Sequence, residues 1–358
     1  MSTGTTLKPS TDGHTRPRRG FLPEAKALTS HTAGMAALAV LVLVVFSVLA
    51  PATYPSALNL QSIGYAVPEI ALLALAVTVT MSTGGIDLAV VATANLSALT
   101  TATISIALAA SGTSGGTAVI IGALAGIAVG VLCGLFNGAL VAWARIAPIL
   151  ATLATMTLFG GAALVITRGK PLYGLPNELL ELGKATVAIV PMSFWLLLIA
   201  AIGIWYTMNR TRFGLRLILI GSSAETADYT GLRRTTALLG TYALSGGIAA
   251  LAGVLMTART ASAAADYGSS YLLLAITIAV LGGTRATGGN SPIAGVTVAA
   301  IVLQMIASGF NLLNISPYIY QIVQGLILVG VLILELRRGG LDDLVQGLLH
   351  RRPNRNDG

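Results

Sequence analysis

Two carboxylates stand inside otherwise apolar runs: Glu69, directly after Pro68, and Asp87, within STGGIDLAV (Ser82–Val90). An acid in such a setting is costly and needs a reason. It can bond to a neighbouring chain segment, cap a helix start, meet a polar solute, or carry a coupling ion. For Asp87 the preceding Gly84-Gly85 reads as a backbone break, which favours a cap at the start of the next helix. For Glu69 a structural bond and a pathway role are equally open. Neutral hydrogen-bonding groups are scattered through other apolar runs: Asn137, Thr152, Thr155, Gln304, Asn311, Gln321 and Gln324. They suit a polar solute crossing the protein, or bonds between helices. The candidates for a translocation pathway are Glu69, Asp87, Asn137, Thr152, Gln304 and Gln321.

Other chemistry finds little support. The three histidines, His14, His31 and His350, lie near the two ends, and Cys133 is the one cysteine, so no metal-ligand cluster is expected. LGGTRATGGN (Leu281–Asn290) is rich in glycine but lacks the Gly-Lys-Ser/Thr that grips a phosphate and magnesium. The pair Gly169-Lys170 is followed by Pro171. No nucleophile triad and no cofactor motif is suggested, so the chain does not read as an enzyme. If ATP drives it, a separate ATPase subunit hydrolyses the ATP.

The elements that must position these residues follow from composition. Of 358 residues, 55% are hydrophobic and 9% charged. A soluble chain cannot hide that much apolar surface behind so few charges. Long continuous apolar runs, unlike the alternating segments of about 10 residues in a barrel, predict an all-α polytopic bundle. About ten spans of membrane-crossing type are expected. They lie near residues 33–50, 63–81, 88–109, 118–142, 149–166, 189–208, 237–257, 271–281, 293–310 and 318–334. The eighth is short and flanked by glycines, which suits a broken or re-entrant helix. With the N-terminus in the cytoplasm, 17 of the 21 basic residues fall on inner segments; Arg168, Lys170, Lys184 and Arg259 are the four outside. The net charge of +8 therefore reads as orientation, with both termini cytoplasmic, and not as nucleic-acid binding. Residues 1–30 read as a disordered basic tail without the early apolar core of a cleaved signal. Residues 31–336 read as the membrane domain and 337–358 as a second basic tail.

Two stretches look specialised. Gly122, Gly126, Gly130, Gly134 and Gly138 recur at intervals of four and form one ridge of a helix, which lets another backbone come close. Asn209–Thr236 is a long polar stretch with five arginines and two carboxylates, in which Ser222–Leu232 suits a surface helix. Helix connections need only about 2–8 residues, so its length points to a docking surface for a cytoplasmic partner.

Several motifs, in order, resemble the ribose-type permeases, the membrane subunits of bacterial ABC sugar importers. They are MSTGGIDLAV (Met81–Val90), GLFNGALVAWARIAPILATLATMTLFGGAALVITRGKP (Gly134–Pro171), RFGLRLILIGSSAETADYTGL (Arg212–Leu232), AVLGGTRATGGNSPIAG (Ala279–Gly295) and SPYIYQIVQGLILVGVLIL (Ser316–Leu334). The resemblance implies two permease subunits around a pathway, a pair of cytoplasmic ATPase domains, and a periplasmic or extracellular solute-binding protein. It implies residence in the bacterial inner (cytoplasmic) membrane. Its ATPase-coupling pattern falls on Gly221, Glu225, Ala227 and Gly231. The chain departs from many relatives at Leu272, Leu273 and Leu274, where an acidic pair is common, and at Gln324, where lysine is frequent. Rhamnose-like, ribose- or xylose-like and autoinducer-2-like solutes all stay open. The alternative reading is an ion-coupled secondary transporter with Glu69 and Asp87 as its coupling carboxylates.

Overall fold

The computed structural model describes residues 22–222, 233–330 and 333. Among the described residues the chain is all-α apart from a two-residue ladder and one isolated bridge, Leu172–Ala263. In order it forms α1 (Leu22–Leu49), α2 (Ala57–Met81), α3 (Val90–Ala110), α4 (Gly115–Ala142), α5 (Pro148–Thr167) and α6 (Asn177–Lys184). Strands β1 (Thr186–Val187) and β2 (Val190–Pro191) follow, then α7 (Met192–Arg210), α8 (Arg212–Ser222), α9 (Arg234–Thr260), α10 (Tyr271–Leu281), α11 (Ile293–Leu312) and α12 (Pro317–Gly330). Among the described residues eight helices are long and apolar enough to cross a membrane, and α10 and α12 are shorter apolar helices. Each of the ten expected apolar segments thus falls on a helix, the last of them described as far as Gly330. With 11 residues, α10 extends about 16 Å at 1.5 Å per residue, well under the roughly 30 Å of a hydrocarbon core.

The bundle is built around α2. Its start is fixed by Ser56, whose Oγ accepts the Asn59 amide at 3.2 Å, and a continuous apolar run follows. That run is buried on all sides because α7, α9, α10 and α11 all pack on it. Helices α1, α4, α5 and α7 instead leave Leu41, Val44, Leu124, Leu132, Val165, Ile199 and Ile202 exposed. In a membrane protein such side chains are solvated by lipid and pose no penalty. The entry to α2 is tied to α11 at one corner. Tyr54 Oη donates to the Met305 carbonyl at 3.0 Å, Asn59 Nδ2 donates to the Tyr54 carbonyl at 2.8 Å, and Ser308 Oγ donates to Asn59 Oδ1 at 2.5 Å.

The glycine ridge of α4 lies between α3 and α9. A Cβ at Gly122 or Gly126 would collide with Ser105 or Thr101 of α3; one at Gly134 would collide with the Tyr242 carbonyl of α9. Gly246 of α9 is the reciprocal contact, its Cβ position overlapping the Gly130 carbonyl. Backbones this close require hydrogen in place of a side chain on both sides. The end of the molecule carrying α6 is capped by that helix and the β1–β2 hairpin, where Tyr65 Oη donates to the Lys184 carbonyl at 2.7 Å and Gln61 Nε2 to the Ile189 carbonyl at 3.1 Å.

The stretch read from sequence as a polar loop, Asn209–Thr236, is partly helical. Its first third is α8, joined to α7 through extended Thr211. Of the surface helix expected at Ser222–Leu232, residues 223–232 lie outside the described residues, and with them Glu225, Ala227 and Gly231 of the coupling pattern. Most of the tails at 1–30 and 337–358 lies outside them too.

Candidate functional site: a glycine junction beneath a buried polar cluster

Three chain breaks meet at one point. The turn after α2 (Ser82–Asp87) places Gly84 at φ +79°, and the turn after α10 places Gly288 and Gly289 at φ +89° and +83°. These left-handed positions suit glycine and few other residues. The Gly289 amide donates to the Ser82 carbonyl at 3.0 Å, joining the two turns. Gly221, at the end of α8, sits in the remaining gap, where a side chain would collide with the Ser82 carbonyl and come within 2.6 Å of the Gly289 nitrogen. Asn290 holds the second turn: its Nδ2 donates to the Gly283 carbonyl at 2.8 Å, and its Oδ1 accepts the Arg285 amide at 3.0 Å. The end of α8 is thereby seated against the turns that lead into α3 and α11.

The first turn delivers Asp87 to a buried polar cluster. Asp87 Oδ1 accepts the Ala89 amide at 2.9 Å and Asn137 Nδ2 at 3.4 Å, while Ser245 Oγ approaches Oδ2 at 3.4 Å. Asp87 is 2% exposed and Asn137 and Ser245 are fully buried. The carboxylate thus lies at the N-terminal end of α3, where backbone amides and the helix dipole favour an anion. Thr152 of α5 closes the cluster from another side: its Oγ1 donates to the Ile86 carbonyl at 3.2 Å and accepts the Leu88 amide at 3.1 Å. Among the described residues Tyr242 Oη and Asn137 Oδ1, both buried, have no hydrogen-bond partner, and a Cβ on Gly85 would stand 2.9 Å from the Tyr242 hydroxyl.

Glu69 belongs to a second group. Its carboxylate accepts Arg259 Nε at 3.0 Å and Nη2 at 2.6 Å, a two-pronged pair between α2 and α9, with Tyr271 Oη donating at 3.4 Å from α10. Glu69 is 2% exposed and the Arg259 side chain 35%, so the arginine is the accessible face of the pair. Arg259 is assigned by its sequence position to an outer connection; the structure puts it in the last turn of α9.

Of the six pathway candidates, Asp87, Asn137 and Thr152 come together. Glu69 lies in the separate ion-paired group. Gln304 is half-buried on α11 and Gln321 exposed on α12, whereas Gln324, one turn further along, is buried. Sequence reasoning did not pair Arg259 with Glu69 or bring Tyr242 to Asp87. Their partners lie 190 residues away for Glu69 and on another helix for Asp87. The one available signal was an arginine at the end of an apolar run.

The family model described as branched-chain amino acid transport system / permease component matches residues 59–332. The chain is 33% identical over 300 residues to the ribose import permease protein RbsC of Bacillus subtilis, covering 83% of this chain and 90% of that one. It is 31% identical over 270 residues to the autoinducer 2 import system permease protein LsrD of Salmonella typhimurium, covering 74% and 79%. It is 30% identical over 312 residues to the LsrC permease of the same kind of system in Salmonella choleraesuis, covering 87% and 88%. No solved structure matches the chain. With that coverage, and with the helical bundle that positions the shared motifs, the chain belongs to the family of ribose-type permeases, the multi-pass membrane components of ABC importers.

Proposed function

We propose that this permease carries a monosaccharide or related polar solute across the bacterial cytoplasmic membrane. A binding protein outside the membrane delivers the solute, and a separate cytoplasmic ATPase drives its passage. A second permease subunit, identical or related, completes the pathway. The similarity to ribose and autoinducer-2 import permeases supports a small polyhydroxylated solute.

The observation that carries the mechanical part is the seat of Gly221. Gly221, Glu225, Ala227 and Gly231 form the coupling segment, and its first residue rests directly on Ser82 and Gly289. A displacement of the segment by the ATPase is passed by hard contact to both glycine turns, since packed backbone has no slack to absorb it. One turn carries Asp87, linked in turn to Asn137, Thr152 and Ser245. The junction therefore couples the segment that begins at Gly221 to polar groups within the bundle. Along the pathway, Glu69, Asp87, Asn137, Thr152, Gln304 and Gln321 supply acceptors and donors suited to sugar hydroxyls. Glu69 is reached through Arg259.

The test is Glu225→Arg in a strain that depends on this uptake system. Coupled uptake is expected to be lost while membrane insertion and α-helical content are unchanged. Normal uptake by that variant removes the docking role of the segment. Pull-down of the native chain in mild detergent is expected to bring down an ATPase subunit in stoichiometric amount; a chain recovered alone, where a known ABC complex survives, counts against the assembly.

A further inference from the structure

From the corner where α7 turns into α8 we infer a binding site for anionic phospholipid headgroups, made by Arg210, Arg212 and Arg216. The helix α8 presents two faces. Gly214, Leu217 and Ile220 are buried against the bundle, held by close contact of Gly214 with the Met208 carbonyl and of Phe213 with Gly240. The opposite stripe, Arg212, Leu215, Arg216, Leu219 and Ser222, is exposed. Two leucines, 53% and 39% exposed, alternate there with two guanidinium groups.

This pattern fits the boundary between hydrocarbon and headgroups. The α7 helix is long and apolar enough to span, and only Thr211 separates it from α8, so α8 starts at the edge of the bilayer. Exposed Trp205 and Tyr206 lie one turn before the end of α7, at the level where amphipathic rings collect. Arg210 stacks over Trp205 with its Cζ 5.4 Å from the ring centroid. At that depth Leu215 and Leu219 lie against acyl chains, while long arginine stems carry their charge outward to the phosphates. Among the described residues the one ion pair is Glu69–Arg259, so the three arginines have no acidic partner there. Guanidinium binds phosphate oxygens in a two-pronged fashion. Net charge then selects anionic over zwitterionic lipid, because each basic residue near the surface contributes a preference of roughly fivefold. Charge complementarity, together with leucines that need an apolar medium, favours lipid over a protein surface.

Trp205 is a built-in reporter. The full chain carrying Trp143→Phe and Trp195→Phe is reconstituted in phosphatidylcholine vesicles containing brominated phosphatidylglycerol or brominated phosphatidylcholine. Quenching of Trp205 at low salt is expected to be at least about fivefold more effective with the brominated phosphatidylglycerol. The preference should shrink as salt screens the charges, and shrink further when Arg212→Gln and Arg216→Gln are added. The salt titration needs no arginine variant, so it stands even if those variants fold poorly. Equal quenching by the two lipids overturns the site, leaving a contact without selectivity. Failure of both to quench overturns it as well and assigns the face to a protein partner.

Discussion

Replacing Arg259 by methionine isolates the ion pair between α2 and α9. The variant keeps much of the stem volume but leaves Glu69, 2% exposed, with only the long contact to Tyr271 at 3.4 Å. Orphaning one member of a buried pair costs about 3–5 kcal/mol. The reverse change, Glu69→Gln, should cost less, about 1–3 kcal/mol, because Arg259 is 35% exposed and can turn toward polar surroundings. The informative variant is the double one. Glu69→Gln with Arg259→Met removes both charges, so it is expected to be more stable than Arg259→Met alone, with a coupling energy of about 2 kcal/mol or more. The assay is reversible unfolding in mixed micelles as denaturing detergent is titrated in. A thiol-reactive fluorophore provides a second readout, since Cys133 is the one thiol and is buried until the bundle opens. If the double variant is as unstable as the sum of the two single ones, the pair does not act as a unit and the reasoning fails.

Two glycine comparisons test packing and the junction. Gly246→Ala places a methyl group on the Gly130 carbonyl and should destabilise by about 1–3 kcal/mol. Gly203→Ala, with nothing within 4 Å, should be neutral or stabilise by up to about 1 kcal/mol through helix propensity; equal melting temperatures for the two variants would remove the close-approach argument. Gly288→Ala and Gly112→Ala meet the same backbone penalty, at φ +89° and +88°, but only the former meets neighbours, at 2.7 Å from the Gly84 nitrogen and 2.9 Å from the Gly221 Cα. Gly288→Ala should therefore reduce solute uptake in proteoliposomes with the ATPase several-fold more than Gly112→Ala, and identical losses would indicate that the junction carries no motion.

The spans were legible because apolar runs this long admit few alternatives. The bounds of α10 fall at Tyr271 and Leu281 as expected, since glycines follow it closely and polar Asp266–Ser270 precede it. The amphipathic helices were not legible. In α6 the charges of NELLELGK mask a helix whose Leu179 and Gly183 are buried. In α8 the arginines made RFGLRLILIGS look like loop, although Gly214, Leu217 and Ile220 repeat at helical spacing. Asp87 does bond the Ala89 amide, but Ala89 itself is the N-cap of α3 and has no side-chain cap bond, so Asp87 stands two residues ahead of the cap position expected for it. Its other neighbours, Asn137, Thr152 and Ser245, come from three different helices, and hydropathy alone does not say which helices touch. The same limit hid the partner of Glu69.

The separation of Glu69 from Arg259 also bears on how the chain is made. Their 190-residue spacing means that, at about 5–20 residues per second, roughly 10–40 s pass between synthesis of the acid and synthesis of its counter-ion. Throughout that interval α2, destined for the centre of the bundle, has no partner for a charge that lipid will not solvate. Until α9 arrives, the nascent helix must hold Glu69 protonated, wait beside the insertion machinery, or sit shallow in the bilayer. The ion pair of this permease thus forms late, with the most deeply buried helix among the first synthesised and its charge among the last to find a partner.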